Sequence, residues 1–444
     1  MNTATARATP GTRRTKVRAD GATIACLFVL ALTIIPARLI FKGLPLAMSP
    51  AMAIGLAMGL LWFCAQLVTT LGVAKGRNAV RTALFLFAAS QLATYGYATF
   101  TYLPPDELAA ADRTLITLAA FVLVGIAVCD GVRGLARIDR LLKIMVVGAT
   151  FMAAVGVLQF AAAIDLTQYL MPPGLRTAGE ISFVLERSSF RRPAGTAEHP
   201  IEFGVVCAMA APLALHYLFR ARSIGAPQLR WWFCLAILAV AAMQSLSRSA
   251  VLGLAVAGLV LIPFMPRGRR WRAVVLAGLF VLAMRIMVPG LVGTLYSLFT
   301  NISVDTSTES RTRAIERAGA EIAEHFVLGR GFGTYVPEKY GYVDNQYLGT
   351  LVQNGIVGLA ALLLVLLAGL YAAVRARLLS RDPVVRDLGI TLTACVCVPA
   401  VSAATFDLLA FSVATGYMFL LIGCAGALLR AAREDQREDQ GVPP

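Results

Sequence analysis

Long windows that are apolar on every side recur along this chain, and they limit what it can fold into more than any other feature. Runs such as 51–70, 251–265 and 356–374 contain no charged residue. A soluble core helix carries one apolar stripe, whereas windows of roughly 18 or more residues that are apolar all round belong to bilayer-spanning helices. The composition agrees, with 58% hydrophobic and 15% charged residues and a mean hydropathy of +0.72, which excludes an ordinary soluble domain. The expected fold is an all-α polytopic membrane protein.

About twelve spans are readable, near 22–40, 48–71, 81–103, 113–130, 142–164, 201–219, 231–246, 249–265, 273–290, 346–374, 387–405 and 408–429. The first follows a basic tail with Arg7, Arg13, Arg14, Lys16 and Arg18. No convincing small-residue cleavage site follows it, so it reads as an uncleaved first helix. Residues 1–20 are then a basic tail, 21–430 the transmembrane domain and 431–444 a polar tail rich in Arg, Glu, Asp and Gln, expected to be disordered.

Alternate loops separate by charge. Lys75, Arg77 and Arg81 share a side with Arg133, Arg137, Arg140 and Lys143, with Arg220, Arg222 and Arg230, with Arg267 to Arg272, and with Arg375 to Arg386. By the positive-inside rule that side is cytoplasmic and holds both termini. The net charge of +15 therefore reads as topology and contact with anionic lipid, and no basic-aromatic nucleic-acid motif is present. The eight cysteines mostly sit inside apolar runs without zinc-type spacing, and Cys395 and Cys397 are one residue apart rather than two.

Two longer loops, 165–200 and 291–345, fall on the outer side and break the charge pattern. The first holds Arg176, Arg187, Arg191 and Arg192; the second holds Arg311, Arg313, Arg317 and Arg330. Arginines gathered in outer loops point to an anionic substrate rather than to topology. Arg248, in Ser245-Leu246-Ser247-Arg248-Ser249, lies at membrane depth beside a tight corner. Arg38 and Arg285 lie near the outer ends of their spans and can snorkel to headgroups.

Thr306-x-x-Glu309 reads as a capping box opening a helix to about Phe326, with Ile315, Ala318, Ile322 and Phe326 on one face. Its arginines either exchange ion pairs with Glu309, Glu321 and Glu324 or aim at a bound phosphate. Gly329-Arg330-Gly331-Phe332-Gly333 follows a helix, not a strand, so the dinucleotide context fails. A close backbone approach to a ligand, with N–H groups offered to an anion, is the expectation instead.

An outer cavity lined by arginines suits a polyprenyl diphosphate, because the guanidinium fork matches phosphate oxygens and keeps its proton. A diphosphate leaving group gains charge as its bond to sugar breaks, and fixed arginines stabilise that transition state more than the ground state. They can replace a metal, and neither outer loop shows an Asp-x-Asp or His-rich signature. Transfer to a hydroxyl also needs a base, for which Asp344, Glu180, Glu186, Glu198 and Glu202 are carboxylates in reach. His199 precedes Pro200 at a helix start and either touches substrate or is structural; His216 lies in a span, where packing is the simpler role.

These residues resemble a known family. Arg192-Pro193-Ala194-Gly195-Thr196 with His199-Pro200 and Phe203-Gly204 is similar to a span entry of the O-antigen ligase and polysaccharide polymerase superfamily. Ser247-Arg248-Ser249-Ala250 resembles its corner, and Arg313 to Arg317, Gly329-x-Gly331-x-Gly333 and Asn345-x-x-Leu348 through Asn354-Gly355-x-x-Gly358 resemble its large external loop and following helix. The resemblance covers about 190–375; elsewhere it rests on topology.

It implies a GT-C-like glycosyltransferase of a bacterial plasma membrane. Such an enzyme acts without metal or cofactor on undecaprenyl-diphosphate-linked oligosaccharide and a glycan acceptor, in the bilayer, beside other polysaccharide assembly proteins. The resemblance carries Arg192, Arg248, Arg313 and Arg317 over as diphosphate ligands. With them, Arg191, His199, Arg330 and Asn345 are candidate substrate contacts, and Asp344 and Arg248 the catalytic pair. Ligases have His where Asp344 stands, which favours a polymerase-type member. Asp344 can accept a proton, and as a base it would gain from burial; it can equally cap the helix beginning at Asn345. Competing readings are a transporter or flippase of an anionic or lipid-linked sugar, and a glycan-binding assembly partner. No half-to-half repeat supports the transporter, and the polar clusters lie at the outer face rather than the midplane.

Overall fold

A computed structural model describes residues 20–44, 46–68, 76–100, 102–178, 185–187, 190–290, 292–293, 296, 316 and 318–439. In chain order they form α1 (Gly21–Ile34), β1 (Leu39–Phe41), α2 (Pro50–Leu67), α3 (Ala79–Thr99), α4 (Pro105–Gly131), α5 (Leu135–Ala162), β2 (Leu175–Thr177), β3 (Leu185–Arg187) and β4 (Phe190–Arg192). There follow α6 (Pro200–Ser223), α7 (Leu229–Gln244), α8 (Arg248–Leu261), α9 (Arg267–Met287), α10 (Pro337–Tyr340), α11 (Gln346–Leu379), α12 (Pro383–Ser402) and α13 (Ser412–Asp439). Seven helices, α2, α4, α5, α6, α11, α12 and α13, are long and apolar enough to cross a membrane, and shorter apolar helices accompany them. A helix lies at each of the twelve expected spans. The chain is an all-α polytopic membrane protein.

Two helices organise the bundle because they are apolar all round. The most apolar windows of α13 and α6 are 94% and 89% buried, against 33% for α2 at the periphery. α13 packs on α4 and α11, and α6 on α7, α12 and α8. Small residues allow the closest approach: a Cβ at Gly423 of α13 would lie 2.7 Å from the Gly125 carbonyl oxygen of α4.

Local sequence sets the helix starts. Asp20, Ser49, Asn345 and Asp382 each cap a helix with a side-chain oxygen, and Pro50 and Pro383 occupy first-turn positions that need no N–H donor. The basic loops grouped by charge meet at one end of the bundle, where Arg137 pairs with Asp20, Arg81 with Asp130, and Lys143 and Arg220 with Asp139.

Several expectations change in detail. The first span ends at Ile34, before Pro36, and the chain turns into β1, which pairs antiparallel with β2; β3 and β4 form a second hairpin. Arg38 does not merely snorkel: it donates to Thr167 at 2.6 Å and lies 3.8 Å from Asp165. Of the helix expected from Thr306, residues 306–315 and Arg317 lie outside the described residues; 318–324 are helical. Ala318 and Ile322 pack with Tyr335 and Val352, while Phe326 is exposed. Among the cysteines, all free, Cys64 is exposed rather than buried.

Candidate functional site

The site lies at the end of the bundle opposite the basic loops and is assembled from four turns. The first is Arg192 to Thr196. Gln159 of α5 clamps it, with Oε1 accepting from the N–H groups of Ala194 and Gly195 at 3.2 and 2.8 Å and Nε2 donating to the Gly195 carbonyl at 3.2 Å. Thr196 donates to the Thr33 carbonyl at 2.6 Å, tying the turn to α1. Gly195 has φ +61, and a Cβ there would meet the Met152 carbonyl at 2.6 Å, so the turn fits between α1 and α5 because it lacks a side chain.

The turn delivers Arg192 to the second element, the corner between α7 and α8. Arg192 Nε donates to the Ser245 carbonyl at 3.2 Å. Leu246 holds the corner in the left-handed region at φ +48, a strained conformation for a branched residue, and Arg248 follows as the first residue of α8. Arg192 and Arg248 are thus carried by directly bonded turns. Arg191 is exposed on β4.

His199 ends the first turn as N-cap of α6. Its Nδ1 accepts from Ile201 N–H at 3.2 Å, so the neutral ring carries its proton on Nε2. Burial, then the Arg192 charge, lowers its pKa to about 4 against an opposing pull from Asp344. The nearby Glu202, fully buried, accepts from the N–H groups of Val413 and Ala414 at 2.6 and 3.1 Å and from Glu198 at 2.9 Å. Those bonds make it the cap joining α6 to α13 rather than a carboxylate open to substrate.

The third and fourth turns are Asp344-Asn345-Gln346 and the 403–411 connection. Asn345, not Asp344, caps α11, with Oδ1 accepting from Tyr347 and Leu348 N–H at 3.0 and 3.2 Å. The Asn345 oxygen expected to meet substrate is therefore engaged by backbone. Gln346 grips the connection: its N–H donates to the Ala403 and Phe406 carbonyls at 2.8 and 3.2 Å, and its Oε1 accepts from Leu409 N–H at 2.7 Å. The connection carries Asp407, whose carboxyl is pushed up to about 7 by burial and, secondarily, by the Asp344 charge. Asp407 also lines a cavity of about 480 Å³ between the starts of α2, α4 and α11 and the 332–338 loop.

The glycine-rich turn and Arg330 have structural partners. α11 breaks at Gly355, with φ 59 and ψ −164, and the 326–331 segment pairs with the groups this break leaves open. Arg330 and Gly331 N–H donate to the Val352 and Gln353 carbonyls, each at 2.9 Å, and Gly333 N–H donates to Gln353 Oε1 at 2.9 Å. The close backbone approach that the glycines permit is thus to α11. The Arg330 guanidinium lies 3.0 Å from both Glu107 and Glu321 and stacks 4.1 Å over Tyr340. Two carboxylates already compensate its charge. Arg313 and Arg317 lie outside the described residues.

The structure therefore brings together Arg192, Arg248, His199 and Asp344 and adds Asp407, which the sequence reading missed. The available signal was a lone carboxylate between the last two apolar runs. Among the described residues no group of three or more His, Cys, Asp or Glu side chains is arranged to hold a metal. Residues 233–363 match the family model described as O-antigen ligase. That stretch includes Arg248, Asp344 and Asn345, while Arg192, His199 and Asp407 fall outside it. No curated protein matches the chain significantly.

Proposed function

We propose that this chain, a membrane enzyme of the O-antigen ligase and polysaccharide polymerase superfamily by its 233–363 match, transfers oligosaccharide from a polyprenyl-diphosphate donor to a glycan hydroxyl. The reaction runs in the GT-C manner at the outer face of a bacterial plasma membrane. The donor is an undecaprenyl-diphosphate glycan, and the member is of polymerase type, because Asp344 stands where ligases carry His. The reading is carried chiefly by the junction of the Arg192 turn with the Ser245–Arg248 corner.

Two guanidinium groups at that junction meet a diphosphate from two elements that are bonded to each other. Arg192 is held on the Ser245 carbonyl and Arg248 opens α8 at the same corner, so the charge that develops on the departing diphosphate meets groups already near it. This fixed positive charge lets the reaction proceed without a metal. We assign Asp344, whose charge reaches His199, to the acceptor side of these arginines. His199, neutral at ordinary pH, offers an Nε2–H donor rather than a base.

The test is purified protein in lipid with EDTA and the lipid-linked oligosaccharide fraction of the host membrane, following release of polyprenyl diphosphate and glycan length. Turnover in EDTA, lost in Arg248→Ala with the fold intact, supports the reading, and longer glycans mark a polymerase. Movement of intact lipid-linked substrate between leaflets without release of diphosphate would replace it with a flippase.

A further inference from the structure

Charge is segregated at the site. The arginines stand on the α7–α8 corner and the Arg192 turn, whereas the cavity of about 480 Å³ is lined by Glu198, Glu338 and Asp407 against the single guanidinium of Arg113. Three carboxylates to one arginine disfavour a diphosphate. The volume falls within the roughly 300–1,000 Å³ of small-ligand sites, and Phe332 and Tyr335 add aromatic surface beside the polar groups. A saccharide, rich in hydroxyls and with apolar ring faces, matches that lining.

We propose that this cavity takes the acceptor saccharide and that Asp407 receives the proton of its attacking hydroxyl, an inference that rests on the glycosyl-transfer reading above.

Position singles out Asp407 among the three carboxylates. Glu338 is exposed on α10, and Glu198, whose carboxyl pKa burial also raises, gives its backbone N–H to Glu202 in the turn before α6. Asp407 lies on a connection held from two sides: Gln346 bonds residues 403, 406 and 409, and Thr405 shares a 2.7 Å hydrogen bond with Ser249, next to Arg248. A base must be held this firmly to meet one hydroxyl. Asp407 is thus two residues from a side chain bonded to the residue after Arg248, so the connection that carries it is tied to the arginine corner.

In the step, the acceptor oxygen forms a bond to the donor anomeric carbon as the bond from that carbon to the diphosphate oxygen breaks. The bonding pair leaves on the diphosphate beside Arg192 and Arg248. The hydroxyl proton passes to the Asp407 carboxylate and then to water. A carboxyl raised to about 7 by burial is a stronger base than an exposed one while still half ionised near neutrality. The charged or titratable groups around it are Asp344 before α11 and, across the cavity, Glu198 before α6, Arg113 on α4 and Glu338 on α10.

The experiment uses the full chain in lipid nanodiscs with the host lipid-linked oligosaccharide fraction as donor. Oligosaccharide released from it by mild acid serves as acceptor, and farnesyl diphosphate as the probe of the arginine side. Asp407→Asn should lower kcat at least 100-fold, with farnesyl diphosphate affinity unchanged within about twofold, and should abolish an acid limb centred near pH 7. Asp407→Glu should restore at least tenfold of that loss. Arg113→Ala should raise the acceptor KM with kcat retained, which tests the cavity even if an Asp407 variant fails to fold. Wild-type kcat and an unchanged pH limb in Asp407→Asn, or an unchanged acceptor KM in Arg113→Ala, overturns the proposal. A wild-type protein that binds the donor but never releases diphosphate defeats the transfer reading itself.

Discussion

The hydroxyls of Ser249 and Thr405 share a hydrogen bond of 2.7 Å, and that bond ties the corner bearing Arg248 to the connection bearing Asp407. Ser402 reinforces it by donating to the Ser249 carbonyl at 3.4 Å. Positive and negative sides of the site are therefore carried on elements that cannot shift independently.

The arginine corner predicts that charge alone will not suffice. Lysine keeps the charge but loses the planar fork that matches two phosphate oxygens. Arg248→Lys should lower turnover about 100-fold or more while thermal stability changes little. Steady-state kinetics in EDTA, with a melting curve of the same preparation, decides the matter; wild-type turnover in the lysine variant removes Arg248 from the diphosphate site.

His199 predicts a pH-dependent stability. Its pKa falls from 6.5 in the unfolded chain to about 4 in the folded one. Between those values the unfolded state binds more protons, so stability should fall as pH drops from about 6.5 to 4 and stay unaffected by this group above that window. The loss is on the order of 3 kcal/mol at the acid end. His199→Asn keeps an acceptor for Ile201 N–H and should flatten the slope. Melting curves at pH 7 and 4.5 test this, and equal slopes in variant and wild type would count against it.

Arg330 and Glu107 predict an asymmetric mutational effect. Glu107 is 1% exposed and receives Arg330, Lys339 and Tyr340. Removing Arg330 takes one of two cations from a buried carboxylate that Lys339 still faces, a loss of about 1–3 kcal/mol. Arg330→Gln combined with Glu107→Gln should recover much of that loss because no charge is then stranded. Thermal unfolding in detergent of both singles and the double supplies the cycle; a double variant as unstable as the sum of the singles would falsify the coupling.

The break in α11 predicts intolerance at Gly355. A Cβ there would lie 2.3 Å from the Val327 carbonyl, in a backbone conformation at φ 59 and ψ −164 suited to glycine. Gly355→Ala should cost about 3 kcal/mol or more. The adjacent Asn354, which donates to Gln91 at 2.8 Å and Thr94 at 2.7 Å, should cost only about 1–2 kcal/mol when changed to Ala. Expression and melting temperature of the pair rank the two; a milder Gly355 variant contradicts the geometry.

The sequence by itself determined where the apolar helices lie, but not the two hairpins or the end of α1 at Ile34. Apolar windows located a helix at each of the twelve spans, because hydrophobicity is a property of the local run, and in the structure local caps such as Ser49-Pro50 and Asp382-Pro383 set the starts. The order of Arg192, Arg248 and the Asn345 segment carried the resemblance, and residues 233–363 match the O-antigen ligase family model. Tertiary structure alone decided which polar groups remain available. Arg330 meets Glu107 across 223 residues of chain, Asn345 replaces Asp344 as the cap, and the glycines approach α11 in place of a ligand. Asp407 gains its position only when Gln346 and Ser249 grip its connection from two helices. Proximity of this kind depends on how helices pack, and no local pattern of residues encodes it.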